Sequence, residues 1–585
     1  MRQEIVDFQD SLLEEVAASE LLRHAREISR YVRLSGSRDE GKALTYVKER
    51  LGEAGLDVHE HRFDSYVSYP GRGELRIGDP TGRSFHGAPP AMSKPTPRGG
   101  LKAELVYAEA ASRRVEGKLV LIRGLASPMV ARALEDKGAA GVAFSGGRHP
   151  HEGIVSVVWG TPTPTNASLL PGIPAISLTE SDGRQLRELL EHGPLEVVLR
   201  TEVDNRWKRI PVVTGDIHGS SPDFVLFSGH IDSWHQGAMD NATGNAAMIE
   251  IARLMAERRP LMRRGLRVAF WSGHSHGRYS GSAWYADNFW RELRERCVAH
   301  VNIDSIGAVG ATDLSHPQAM AEAEGLVTSA IKRAAGKKSK ARRVLRAGDQ
   351  SFWGIGITSI LVELSEQPRR TKEIDLQPWG WWWHTPHDTM SRVDSKNLVR
   401  DSRVYALVVS ELCWRGVLPF DFAAAANEIK FRLQEYADAA GSAFDLSPLV
   451  GEVASLESLF LRFGREVKRV ESTLGNRGKM PLDTAVKVDH INEALKSIGR
   501  ALVPVSYTAS GSFGQDPAVP LPAVPSLQGA LILRGQTLGP DERRFLVAGL
   551  RKGANQLEAA LADARGSAEN CMTRLRNSGS KAATR

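Results

Sequence analysis

Residues 224–244 read FVLFSGHIDSWHQGAMDNATG, and this stretch decides the fold. Its first four residues are all apolar, which predicts a buried strand. The chain then breaks at Ser228-Gly229 and presents His230 and Asp232, and Asp240 follows in a glycine-flanked loop that leads into a helix. Because open α/β sheets bind ligands beyond the carboxyl ends of their strands, these side chains predict a divalent-metal site at such an edge.

Outward from this stretch, strand patterns and helix patterns alternate along the chain. Further strands are predicted at 266–271, 298–303 and 357–363, and helices at 245–258, 282–294, 319–335 and 397–412. This alternation predicts βαβ crossovers. The expected fold is therefore α/β, with a mostly parallel sheet sandwiched by helices.

Composition divides the rest of the chain. Residues 67–202 are rich in Pro and Gly and carry short predicted strands, which indicates a separate β-rich unit inserted into the α/β domain. Residues 1–66 and 203–418 then form that discontinuous domain. Amphipathic helical spacing dominates residues 419–585. A chain of 585 residues is too long for one hydrophobic core, so three domains are expected.

Bulk composition argues against several classes of protein. The net charge is +7 and no long basic block occurs, so nucleic-acid binding is not expected. Three scattered cysteines form neither a disulfide framework nor a thiolate metal site. No apolar run approaches the ~20 residues that span a bilayer, and the polar start lacks the apolar core of a signal peptide. We therefore expect a cytoplasmic protein without membrane contact.

Side chains that bind metals occur in four segments of the alternating region. The segments are GHID (His230, Asp232), GAMDNATG (Asp240), VNIDSIG (Asp304) and WHTPHDT (His384, Asp388). Imidazoles and carboxylates, with one carboxylate shared, suit zinc or another divalent ion such as manganese. Asp232 lies too close to His230 to bind the same ion easily. We expect its carboxylate to orient that histidine by accepting the other ring N–H.

The order GHxDS, GAxDNATG, NxDSxG and WHTPxDT resembles the zinc aminopeptidase and carboxypeptidase family that includes glutamate carboxypeptidase and the transferrin receptor. Within residues 67–202, EGKLVLIRG, EDKGAAGVAFS and IPAISL resemble the protease-associated domain that many members carry. Near the C-terminus, VPVSYTASGSFGQDPAVPLPAVPSL resembles the helical dimerisation domain of the glutamate carboxypeptidase branch. The resemblance therefore implies a homodimer formed through residues 419–585.

The resemblance also implies roles for the metal-binding side chains. One carboxylate would bridge two metal ions, and two histidines and a second aspartate would complete the sites: Asp240, His230, His384 and Asp304. Asp232 and Asp388 would support these ligands from behind. The peptide bond between Asp240 and Asn241 would be cis.

One segment departs from the family. Members carry a Glu-Glu pair after the next strand, in which the first Glu is the general base and the second is a metal ligand. This chain reads WSGHSHGRYSGS at 271–282, with His274 and Ser275 in the positions of the pair. Because imidazole accepts a proton near neutral pH, His274 or His276 would replace the base or bind a metal. Alternatively, the site holds a single ion.

Other side chains are candidates for substrate binding. Arg278 and Tyr279 would contact a substrate carboxylate or polarise a carbonyl oxygen, or else occupy a surface turn. The tryptophans before His384 would wall an apolar pocket, or else form a packing cluster: Trp379, Trp381, Trp382 and Trp383. The loop GGRHPHEG, with His149 and His151, is expected to be solvated.

These observations lead to a hypothesis about function. The protein is expected to be a metal-dependent hydrolase that cleaves a C–N bond in a small peptide or amide, with a histidine in place of the glutamate base. The alternative is a non-catalytic, dimeric, metal-containing binding protein. The transferrin receptor illustrates that this fold survives without catalysis.

Overall fold

The computed structural model describes residues 2–78, 82–108, 114–368, 378–474, 482–535 and 538–580. Its strands are β1 (Asp57–Ile77), β2 (Ser84–Gly87), β3 (Leu101–Tyr107), β4 (Leu119–Arg123), β5 (Gly141–Ser145), β6 (Ala175–Leu178), β7 (Leu195–Ile217), β8 (Phe224–His230), β9 (Gly265–Trp271), β10 (Cys297–Asn302), β11 (Gln318–Ala319) and β12 (Ser359–Val362). Its α-helices are α1 (Arg2–Glu15), α2 (Ala18–Ser29), α3 (Arg38–Glu53), α4 (Pro128–Asp136), α5 (Glu180–Glu191), α6 (Gly244–Glu257), α7 (Ser280–Asn288), α8 (Trp290–Arg296), α9 (Glu324–Ala335), α10 (Ser395–Trp414), α11 (Phe422–Ala440), α12 (Ser447–Ser472), α13 (Leu482–Tyr507), α14 (Ile532–Gly535) and α15 (Pro540–Ser580).

The described strands belong to one mixed sheet. Strand β8 lies between β9 and β10 and runs parallel to both, and β12 continues the parallel arrangement beside β10. Because these four strands point the same way, their carboxyl ends lie at one edge of the sheet. The loops that follow them therefore start side by side, and this edge carries the candidate site.

The opening stretch is apolar because both faces of β8 are covered. Val225 and Phe227 belong to the hydrophobic cluster on the side of α6 and α10. Phe224 and Leu226 belong to a second cluster on the opposite face, with Trp271. Successive side chains of a strand alternate between faces, so a strand buried on both sides needs an unbroken apolar run.

Two long strands connect the inserted segment to the α/β domain. β1 and β7 pair antiparallel from Asp57 opposite Asp216 to Ile77 opposite Val197. β7 also pairs with β9 near one end and with β3 near the other, so the sheet is continuous. The inserted segment has hydrophobic clusters of its own, yet it shares the sheet because this ribbon crosses the predicted boundaries at 66 and 202.

Helices dominate the end of the chain. The cluster that contains Val225 continues as far as Leu575 in α15, so the C-terminal helices share a core with the α/β domain. The mixed sheet flanked by helices and the helical C-terminal region confirm the predicted fold class. The helix predicted at 319–335 begins only at Glu324, because a short 3-10 turn precedes it. No helix in the described ranges is long and apolar enough to cross a membrane.

Candidate metal centre

Four side chains that are far apart in the sequence meet at the carboxyl edge of the sheet. His230 is the last residue of β8, Asp304 follows β10, Asp240 lies in a short π-helical turn (Ala238–Thr243) before α6, and His384 comes from a loop. The Nε2 atom of His230 lies 2.9 Å from Oδ1 of Asp240 and 3.3 Å from Oδ1 of Asp304. The Nε2 atom of His384 lies 3.0 Å from Oδ2 of Asp240. The two oxygens of one carboxylate therefore face two different imidazoles.

Backbone carbonyls fix the orientation of both imidazoles. Nδ1–H of His230 donates to the carbonyl oxygen of Asp232 at 2.9 Å, and Nδ1–H of His384 donates to that of Glu152 at 3.0 Å. A neutral imidazole donates through one nitrogen and accepts through the other. In this tautomer, each Nε2 atom offers a lone pair towards Asp240, which is the arrangement of a histidine that binds a metal.

The spacing of these atoms fits a cation. An imidazole nitrogen and a carboxylate oxygen at 2.9–3.3 Å need a positive charge between them, which either a proton or a metal ion supplies. Ligands about 2.0–2.2 Å from a tetrahedral ion stand about 3.2–3.6 Å apart, close to these distances. Burial lowers the pKa of His230, but the charge of Asp304 and the hydrogen bonds of Asp232 and Asp240 hold it well above its usual value. The cluster therefore attracts positive charge.

The carboxylate of Asp232 has a different role from the one predicted. The backbone carbonyl of Asp232, not its side chain, accepts the proton of His230, because the carbonyl lies closer to Nδ1 than the carboxylate, which stays 3.6 Å away. The carboxylate instead accepts from Ser35 Oγ at 2.6 Å and from the backbone N–H of Ser275 at 2.9 Å. Burial opposes its charge, yet the nearby imidazoles of His230 and His276 hold its pKa well below the usual value. Asp232 thus anchors the loop after β9.

Asp388 lies directly behind Asp240. Its carboxylate accepts from the backbone N–H groups of Met239 at 2.9 Å and Asp240 at 3.0 Å. Burial raises the pKa of Asp388 to about 7, and these two donors oppose that rise. The peptide bond between Asp240 and Asn241 is cis, as the resemblance implies. The carboxylate of Asp388 therefore holds the loop that presents Asp240.

Arg33 holds the chain between His230 and Asp240. Its guanidinium is fully buried and donates to the carbonyl oxygens of Ile231 at 2.7 Å, Gln236 at 2.8 Å and Gly237 at 2.9 Å. Burial lowers its pKa to about 10, although the nearby charges of Asp388, Asp232 and Asp240 oppose that change. A buried cation therefore fixes the loop that joins two of the four clustered residues.

We expect Arg33→Met to destabilise the protein by about 3 kcal/mol or more, because several buried carbonyl groups lose a charged donor. Equilibrium urea unfolding measures this change. Arg30→Met is the matched control, since the Arg30 side chain is 63% exposed and should change stability by no more than about 0.5 kcal/mol. Equal stabilities of the two variants would contradict a structural role for Arg33.

The loop after β9 carries His274 into the site. Its ring stacks on the ring of His230, with centroids 3.8 Å apart and planes at 14°. One of its nitrogens lies within 4.8 Å of the ligand atoms of both His230 and Asp304. Nδ1–H donates to Oδ2 of Asp349 at 2.8 Å, and Asp349 is itself buried and accepts from Ser282 Oγ. Asp349 is not predicted from the sequence, because it lies in a loop without a metal motif.

His276 does not reach the candidate site. Its side chain is fully buried, and Nδ1 contacts Ser35 Oγ at 3.1 Å and Asp232 Oδ2 at 3.4 Å. Its ring packs beside Trp234, and it does not line the cavity next to the four clustered residues. The prediction of a catalytic His276 is therefore corrected. The loop after β9 directs the side chain of His274 towards the cavity and that of His276 into the protein core.

A cavity of about 360 Å³ opens beside Asp240, Asp304 and His384. Arg278 and Tyr279 line it, and both adopt left-handed backbone conformations, with φ of 52° and 69°. Such strain is typical of residues held for a function. The inserted segment contributes Glu152 to the wall, and the C-terminal region contributes Ala518. All three parts of the chain therefore form this cavity.

The tryptophans divide between two roles. Trp383 and Trp379 line the cavity, and the Trp383 ring stacks on His384. Trp382 is buried against Met239 and nearby alanines, and Trp381 packs on His387. The substrate-binding prediction is therefore corrected for Trp381 and Trp382, because these two rings pack on other side chains and do not line the cavity.

The loop predicted to be solvated is folded against the site. His151 is 3% exposed, and its Nδ1–H donates to the carbonyl of Trp383 at 2.6 Å. The next residue, Glu152, binds His384 twice: its N–H donates to the His384 carbonyl at 2.9 Å, and its carbonyl accepts from the ring. Burial raises the pKa of the Glu152 carboxyl to about 7. The prediction failed because Gly and Pro mark a loop but do not reveal what packs on it.

Comparisons with known proteins identify similar sequences. The sequence pattern of Peptidase family M28 matches residues 212–409. A probable glutamate carboxypeptidase from Zea mays is 26% identical over 359 residues, which make up 49% of this chain and 50% of the relative. An aminopeptidase from Bacillus subtilis is 25% identical over 394 residues, covering 65% of this chain and 81% of the relative.

A likeness of fold accompanies these matches. The solved structure of a zinc aminopeptidase from Bacillus subtilis covers 68% of this chain and 96% of its own, with a TM-score of 0.51 and 22% identity. At this identity the likeness supports the fold alone. The chain spans about half the length of the maize relative that it matches.

Proposed function

We propose a hydrolytic function for this chain, because residues 212–409 form a peptidase family M28 domain, homologous to aminopeptidases and probable glutamate carboxypeptidases. The protein is a metal-dependent hydrolase that cleaves a C–N bond in a small peptide or amide. One observation carries the proposal: two imidazole Nε2 atoms face the two oxygens of Asp240 beside a cavity of substrate size.

We assign zinc to this centre, because imidazole nitrogens and carboxylate oxygens are its usual ligands. His230, Asp240 and Asp304 would hold one ion, and His384 would bind on the other side of Asp240. Since the two Asp240 oxygens face different histidines, the arrangement supports a pair of ions. When bound, zinc supplies a Lewis acid that polarises a carbonyl group and makes water more acidic.

His274 takes the part of the absent glutamate base. Asp349 accepts the Nδ1 proton and fixes the tautomer, so Nε2 is free to accept a proton. As the water oxygen bonds to the carbonyl carbon, one water proton passes to Nε2 of His274. That proton then moves to the leaving nitrogen while the C–N bond breaks, which returns His274 to its neutral form.

Metal removal tests the proposed function. We expect dialysis against a chelator to abolish turnover of a panel of dipeptides, aminoacyl amides and N-acyl amino acids, and zinc to restore it. Metal content by mass spectrometry should rise and fall with turnover. Stoichiometric zinc without turnover on any substrate would instead favour the non-catalytic binding protein.

Assembly and cellular location complete the proposal. We assign a homodimer to the C-terminal helices, supported by the apolar side chains of Phe431 and Leu461, which are 66% and 52% exposed on α11 and α12. Light scattering during gel filtration should give twice the chain mass, and Phe431→Lys combined with Leu461→Lys should reduce it.

We assign the protein to the cytoplasm, which cell fractionation tests.

A further inference from the structure

Glu152 brings a buried carboxyl group without a charged partner to the cavity. Its Oε2 atom is buried and has no hydrogen-bond partner. The nearest basic group is Nε2 of His235, which lies 3.6 Å from Oε1. That separation is too long for a hydrogen bond. In the described ranges, no Lys or Arg forms an ion pair with Glu152.

Arg278 brings an unbalanced positive charge to the same cavity. Its Nε atom is buried without a partner, and Nη2 makes one long hydrogen bond of 3.3 Å to the carbonyl of Ala518. No carboxylate of the part that the structure describes lies within ion-pair distance of it. Arg346, also on the cavity wall, makes more hydrogen bonds, because that guanidinium donates to the carbonyl oxygens of Gln350 and Asp516 and to Oε1 of Gln515.

The side chains of Glu152 and Arg278 do not pair with each other. No ion pair joins Glu152 to Arg278, although both line the one cavity. Glu363, another carboxylate on the wall, already pairs with Arg342 at 2.5 Å. Buried charges in proteins are normally paired, because an isolated one loses its hydration without compensation. Glu152 and Arg278 thus lack the partners that a ligand with two opposite charges would supply.

We propose that the cavity selects small zwitterionic substrates, with a free ammonium group facing Glu152 and a free carboxylate facing Arg278. Dipeptides and similar amino-acid derivatives have this chemistry. The guanidinium fork of Arg278 matches the geometry of a carboxylate. A volume of about 360 Å³ is large enough for a ligand of this size. This inference rests on the proposed function for its reaction and adds the substrate class.

Capped substrates test the proposal in the zinc-loaded enzyme. Compared with a dipeptide that has both ends free, we expect N-acetylation to lower kcat/KM about 100-fold and C-terminal amidation to lower it by a similar factor. In Glu152→Gln the N-acetyl effect should shrink to a few-fold, while the amide effect persists. In Arg278→Gln the pattern should reverse. Glu363→Gln, which changes a carboxylate that already has a partner, should keep both effects.

A binding measurement separates this proposal from the hydrolytic one. Calorimetry with a ketomethylene dipeptide isostere, free or capped at either end, reports selectivity without turnover. Preference for the free isostere with no hydrolysis of any substrate would contradict the hydrolytic proposal and support the zwitterion proposal. Turnover of capped and free substrates at equal kcat/KM would overturn the zwitterion proposal alone. Loss of zinc from Glu152→Gln with unchanged end preference would also overturn it, because Glu152 would then face the metal.

Discussion

Asp240→Asn is expected to abolish turnover, with a loss of at least about 1000-fold, because the two Asp240 oxygens face two different imidazoles. Asparagine keeps one acceptor oxygen and replaces the other with an NH₂ group, which cannot bind a cation. One histidine therefore loses its shared partner whichever way the amide turns. Bound zinc should fall by at least one ion per chain.

Steady-state kinetics and metal analysis on the same preparation measure this prediction. Asp57→Asn is the matched control, since Asp57 lies in β1 with 66% of its side chain exposed and, among the residues that the structure describes, forms an ion pair with His218 alone. That variant should retain full zinc and full turnover. An Asp240→Asn enzyme with normal zinc content and activity would remove Asp240 from the centre, and the hydrolytic proposal would fail with it.

His274→Ala is expected to lower kcat by about 100- to 10,000-fold while zinc stays bound, because the variant lacks the proton acceptor but keeps the clustered ligands. Asp349→Asn should lower kcat less, by about 10- to 100-fold, since the imidazole remains but loses the carboxylate that orients it. His274→Glu should recover part of the activity, because it places a carboxylate where the peptidases that this sequence resembles have their general base.

Several measurements distinguish a base from a ligand at this position. Added imidazole should partly rescue His274→Ala if the side chain carries a proton, and the rescue should follow the concentration of neutral imidazole. His218→Ala, at a site with 63% of the side chain exposed, controls for the loss of a histidine. A His274→Ala enzyme that loses zinc along with activity would show that His274 binds metal, contrary to the proposed role.

Much of the fold could be predicted because the controlling signals are local. The apolar run at 224–227 predicts a strand covered on both faces, and β8 has this environment. Alternation of strand and helix patterns predicts parallel neighbours, and a parallel arrangement gathers strand ends at one edge. This is why His230, Asp240, Asp304 and His384 lie together although up to 154 positions separate them in the printed sequence.

The contacts of single side chains depend on which segments pack together, and sequence patterns do not reveal this. His274 and His276 look equivalent in the sequence, but the turn of the chain sends one to the cavity and the other into the core. Asp232 is two residues from His230, yet its carboxylate reaches the loop after β9 instead.

The sequence by itself determined the α/β class and the clustering of His230, Asp240, Asp304 and His384. Alternating strand and helix patterns produce parallel strands, and parallel strands bring the loops at their carboxyl ends to one edge of the sheet. Only the tertiary structure decided that Asp349 orients His274, and that Glu152 from the inserted segment reaches His384. Both are contacts between segments distant in the chain. Such contacts arise from the way whole elements pack, and a residue's neighbours in sequence carry no record of them.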